Sequence, residues 1–137
     1  MADYPTDYVS DLLSPQELRI AIEALPPLFS TVLGDAFITA SYGWGCQLHF
    51  DLLYRDMKVG TKWFERFIRD SLRQEIVVPE DSDFRIAIPS QALEIVFCHE
   101  GHVHIGGHDG DLLNELLAKE PFASLRPGGS HVVPEAR

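Results

Sequence analysis

The chain has 137 residues, 45% of them hydrophobic and 10% aromatic, which excludes a disordered or fibrous chain and fits one domain burying roughly two-thirds of its unfolded surface without staples. Eleven Lys and Arg stand against 21 Asp and Glu, a net charge of −10 that repels a phosphate backbone and excludes nucleic acid as a direct ligand. No apolar run approaches the roughly 20 residues of a membrane helix, and the start, MADYPTDYVSD, is acidic where a secretory leader is basic and then apolar; a cytoplasmic location without membrane contact is expected.

In chain order, residues 1–13 repeat Asp-Tyr at Asp3-Tyr4 and Asp7-Tyr8 and read as a flexible acidic arm. Ser14-Pro15-Gln16-Glu17 is a capping box with proline at the first helical position, opening a helix over 15–25 in which Leu18, Ala21, Ile22 and Leu25 form one stripe. Pro26-Pro27 are expected to stop it, since neither donates a backbone bond. Residues 36–42 read as a strand and 46–54 as its hairpin partner, with Cys46, Leu48, Phe50, Leu52 and Tyr54 on the core face.

Thr61 is positioned to cap a second helix whose stripe is Phe64, Phe67, Ile68 and Leu72, with Trp63 on its margin. The loop Pro79-Glu80-Asp81-Ser82-Asp83 is acidic, and strands follow over 84–88, 92–98 and 103–105. Gly106-Gly107 are expected to break the last of these. A third helix, capped by Asp109 or Asp111 and driven by Leu112, Leu113, Leu116 and Leu117, ends at Pro121, and residues 126–137 read as a flexible tail. Phe64, Phe67, Leu72, Val96, Ile105 and Leu116 are expected in the core. Hairpins rather than single strands between helices predict an α+β class: an antiparallel sheet of four to five strands with helices mainly on one face, in a single domain over 1–137.

The stretch 97-FCHEGHVHIGGHDG-110 holds four of the six histidines. If Glu100-Gly101 is a two-residue turn, Phe97, His99, His102 and His104 project on one side and Val96, Cys98, Val103 and Ile105 on the other, core side. Three imidazoles on one face make His99, His102 and His104 a candidate metal set for zinc or nickel. The string His99-Glu100-Gly101-His102 is one residue short of the HExxH spacing that stacks two ligands on a helix, and solvated histidines are the plainer alternative. Cys46 and Cys98 lack metal-like spacing and read as packed thiols, with a bridge between them as the alternative.

No Gly-rich phosphate loop, nucleophile elbow or nucleophile-base pair is present in the sequence. The expectation is a small acidic non-enzymatic protein that binds or neutralises a basic protein partner, as immunity proteins and antitoxins do, an analogy of class resting on size and charge. Tyr42, Trp44, Glu80, Asp81 and Asp83 are the candidate partner-binding residues, the indole in Tyr42-Gly43-Trp44-Gly45 as anchor and the carboxylates as steering charges. No cofactor is expected. The alternatives are a metal-binding or metal-dependent protein using the histidine hairpin, and a structural or adaptor subunit.

Overall fold

The computed structural model describes residues 6–43, 56–79, 83–108, 110–120 and 122–127. They form β1 (Thr6–Val9), α1 (Pro15–Leu33), β2 (Phe37–Tyr42), β3 (Met57–Gly60), α2 (Thr61–Arg73), β4 (Phe84–Ile88), β5 (Leu93–Phe97), β6 (Val103–Gly107), α3 (Asp111–Leu117) and β7 (Arg126–Pro127). The strands make one seven-stranded sheet in the order β3-β2-β4-β5-β6-β1-β7, and each neighbouring pair runs antiparallel. The class is α+β as expected, but the sheet has seven strands rather than four to five. The additional ones are short: β1 and β3 have four residues each and β7 has two, too few for alternation to register in sequence. The strand expected over 46–54 lies outside the described residues.

The acidic arm is a strand from Thr6 onward: β1 lies between β6 and β7, with Tyr8 opposite both Ile105 and Pro127. The start of the supposed tail, Arg126–Pro127, is likewise paired. Buried Ser10 stitches this end down, because its N–H donates to Val103 O at 2.9 Å and its hydroxyl accepts from Val103 N at 2.9 Å.

Helix α1 begins at the expected capping box, with Ser14 Oγ accepting from Glu17 N at 3.1 Å and Glu17 Oε1 accepting from Ser14 N at 2.9 Å. It does not stop at the prolines but runs to Leu33 through Pro26 and Pro27. The buried stripe explains why. Leu18, Ala21, Ile22 and Leu25 are continued in register by Leu28 and Phe29, with Pro26 itself buried, and burying Leu and Phe side chains at roughly 1.5–3 kcal/mol each works against the roughly 3 kcal/mol that each of the two interior prolines costs. Helix α2 is capped by Gly60 rather than Thr61. The Thr61 hydroxyl instead donates to Gly34 O at 2.5 Å and accepts from Ala36 N at 3.1 Å, tying the end of α1 and the start of β2 to α2.

Alternation along each strand buries one face: Ile38, Ala40 and Tyr42 on β2, Phe84, Ile86 and Ile88 on β4, Leu93, Ile95 and Phe97 on β5, and Val103 and Ile105 on β6. These residues and the buried stripes of α1, α2 and α3 form one hydrophobic cluster. Within it Phe29 stacks on Phe64 at 5.0 Å between ring centroids, joining α1 to α2. Of the expected core residues, Phe64, Leu72, Ile105 and Leu116 are buried, whereas Phe67 and Val96 are half-buried. Gly106 and Gly107 extend β6 instead of breaking it. A Cβ at Gly107 would sit 2.5 Å from Ala92 O and 2.9 Å from Leu93 Cα, so glycine there is the condition for close approach of β5 and β6.

Candidate binding surface at the hairpin end

The β5–β6 hairpin positions the histidines, and its loop sets their directions. Cys98 N donates to His102 O at 2.9 Å and Gly101 N to Cys98 O at 3.0 Å, so the loop is the three residues His99, Glu100 and Gly101, with Gly101 at φ 96. The expected two-residue turn requires positive φ at Glu100 as well, whereas the three-residue loop requires it only at the glycine. One residue of register changes the faces. Phe97 lies opposite Val103 and Val96 opposite His104. Phe97 therefore faces the core, and Val96 joins His104 on the half-buried side, the reverse of the expectation for β5.

The three candidate ligands are not gathered into one site. His99 sits in the loop, where Asp83 Oδ1 accepts its backbone N–H at 2.7 Å and its ring Nδ1–H at 2.8 Å. His102, the residue before β6, and His104 on β6 do lie side by side, with ring centroids 6.2 Å apart, edge to face. His102 Nδ1–H donates to Ser10 O at 3.1 Å, which leaves Nε2 with the lone pair in the neutral ring. Among the described residues no group of three or more His, Cys, Asp or Glu is placed to hold a metal ion. Cys98 beside them is a half-buried free thiol.

Of the candidate partner-binding residues, Tyr42 is 2% exposed, stacks on Phe84 at 5.4 Å between centroids, and places its hydroxyl 2.6 Å from Ser71 Oγ. Its ring is a core element and offers nothing to a surface. Trp44, Glu80 and Asp81 lie outside the described residues. Asp83 is at the hairpin end, where its carboxylate holds the loop through His99.

Further carboxylates reach the same end through tertiary contacts that sequence reasoning missed. Leu13 N donates to Gly101 O at 2.8 Å, bringing the segment before α1 against the loop. With it come exposed Asp11, exposed Glu17 in the capping box, and Leu12, which is 67% exposed. Glu100 is exposed in the loop itself. Asp11 pairs with Arg126 at the sheet edge. No local pattern marks these residues as one surface, because 86 residues of chain separate Leu13 from Glu100 in a topology that only β1 and its pairing with β6 bring together.

No protein-family model, no curated protein and no solved structure matches this chain. Among the described residues no helix is long and apolar enough to cross a membrane. The end of the β5–β6 hairpin thus combines a hydrogen-bonded loop carrying exposed Glu100, the Asp83 carboxylate that holds it, and the exposed Leu12 segment bonded to it through Leu13.

Proposed function

We propose that this chain is a non-enzymatic binding protein that captures a basic protein partner on the acidic end of its sheet, in the manner of an immunity protein or antitoxin. The observation that carries the reading is the bonding of Leu13 and of Asp83 to the β5–β6 loop that bears exposed Glu100, which brings exposed Leu12 and its neighbour Asp11 to the same end, in a chain of net charge −10. Glu80 and Asp81 precede Asp83 in the sequence and are part of that net charge.

The test is kinetic, on a partner recovered from host extract at low salt. Charge steering predicts that association slows as salt rises while dissociation changes less. Neutralising Glu80, Asp81 and Glu100 to Gln, Asn and Gln slows association, with Asp83 left in place because it holds the loop. Leu12→Ala chiefly speeds dissociation. A partner whose binding ignores salt and both sets of changes, with the fold intact by circular dichroism, removes the reading.

The second reading, a metal-binding protein, rests on His102 and His104 at 6.2 Å and on the Nδ1–H bond of His102 to a carbonyl, the partner that metal-ligating histidines use. Close to one equivalent of zinc or nickel in untagged protein, lost when both are replaced by alanine, favours it over the acidic-surface reading.

A further inference from the structure

Two large aromatic side chains stand in solvent side by side at the opposite end of the sheet order from β1 and β7. Phe37, the first residue of β2, is 60% exposed, and Trp63, in the first turn of α2, is 57% exposed. Between them lies Gly60. A methyl group placed on Gly60 would be 3.7 Å from Trp63 Cδ1, 3.8 Å from Phe37 Cε1 and 3.9 Å from Ala36 O. The glycine is thus the floor of a shallow cleft walled by the two rings, and an inserted aliphatic or aromatic side chain would touch both walls.

Cations rim this cleft. Lys58 Nζ lies 5.2 Å from the centroid of the Phe37 ring and Lys62 Nζ 5.8 Å from that of Trp63. Arg66, Arg69 and Arg73 continue the exposed side of α2. The carboxylates of this side are Glu65 on α2, Asp35 before β2, Asp56 before β3, which lies 3.8 Å from Arg85, and Asp70, which is engaged by Arg66 at 3.7 Å and Arg73 at 2.9 Å. In a chain of net charge −10 this is a locally cationic patch. A contiguous exposed aromatic pair costs solvation free energy and is the residue type that dominates interface energetics.

We propose that the Phe37–Trp63 cleft is a second binding surface, for an acidic segment of a partner protein that inserts one apolar side chain over Gly60 while its flanking carboxylates meet Lys58 and Lys62. Charge complementarity selects this occupant: a basic segment would place its cations against the two ammonium groups, and the rings are already faced by lysine. The surface is distinct from the acidic hairpin end and does not depend on the function proposed for it.

The test uses the full chain and three synthetic peptides, read by fluorescence polarisation of a label on the peptide. One peptide carries a central Leu-Phe pair flanked by glutamates, the second has lysine for every glutamate, and the third has alanine for the apolar pair. The glutamate peptide should bind, with the other two weaker by roughly tenfold or more, and added salt should weaken it. Trp63→Ala should lower its affinity by roughly tenfold or more. Gly60→Ala fills the cleft floor at ordinary contact distances while leaving both rings in place, and should produce a loss of the same kind if Trp63→Ala perturbs folding. In a Trp44→Phe background Trp63 is the sole indole of the two in the chain, so its emission should shift on binding.

Absence of binding, equal binding of the lysine or alanine peptide, or indifference to Gly60→Ala overturns the proposal. Self-association in sedimentation that Trp63→Ala abolishes overturns it too, because a second copy of this chain then covers the cleft.

Discussion

At the scale of single residues, Tyr42 shows how burial reassigns a side chain. As part of Tyr-Gly-Trp-Gly it stands in sequence beside a turn, yet its position as the third inward residue of β2, after Ile38 and Ala40, commits it to the core. A buried phenol needs a polar partner, and Ser71 on α2 supplies one at 2.6 Å. Tyr42→Phe removes the phenol and leaves the buried Ser71 hydroxyl without it. The expected cost is about 1–3 kcal/mol, read as a lower urea midpoint at unchanged slope. A change within about 0.5 kcal/mol would show that the Ser71 hydroxyl finds another hydrogen-bond partner in the fold. Gly107 is the converse case, a residue whose lack of a side chain, and not its flexibility, lets two strands meet.

At the scale of elements, α1 and the hairpin each set a local rule against a distant contact. The prolines in α1 break the backbone ladder, but the apolar spacing runs through them to Leu28 and Phe29, whose burial carries the helix on. Pro27 is exposed, so Pro27→Ala restores a donor toward the carbonyl of Glu23 without disturbing the core. The net effect is expected to be stabilising by about 1 kcal/mol, since the recovered helical bond outweighs the greater entropy of the unfolded chain. If chemical denaturation instead shows a loss, the course that Pro27 imposes on α1 is what seats Phe29 against Phe64. In the hairpin the local rule wins, because only Gly101 tolerates the left-handed conformation and the loop geometry then places His102 and His104 outward.

For the whole molecule, β1 is the element on which the acidic hairpin end depends. It covers the edge of β6, supplies the strand on which β7 pairs, and leads into Ser10 and Leu13, whose bonds to Val103 and Gly101 hold the acidic end together. Deleting residues 1–9 exposes the backbone edge of β6. The shortened chain should have a lower melting temperature and should self-associate in sedimentation, as an uncovered strand edge invites pairing. Retention of the full melting temperature and a monomer would mean that β1 adds nothing to the stability of the sheet.

Sequence alone determined the features that depend on neighbours within a few residues: the capping box at Ser14, the stripe of α2, the existence of the strands β2, β4 and β5, and the α+β class. Periodicity reports these because burial of one face repeats every two or 3.6 residues. Tertiary structure decided the rest. The faces of β5 hung on one residue of loop length, the strands β1, β3 and β7 are too short to carry a pattern, and the gathering of Asp11, Leu12, Asp83 and Glu100 comes from pairings between distant parts of the chain. Net charge was legible from composition, but its segregation into an acidic hairpin end and a cationic aromatic patch on α2 was not, because composition carries no positions and only the fold brings Phe37, Gly60 and Trp63 to one place.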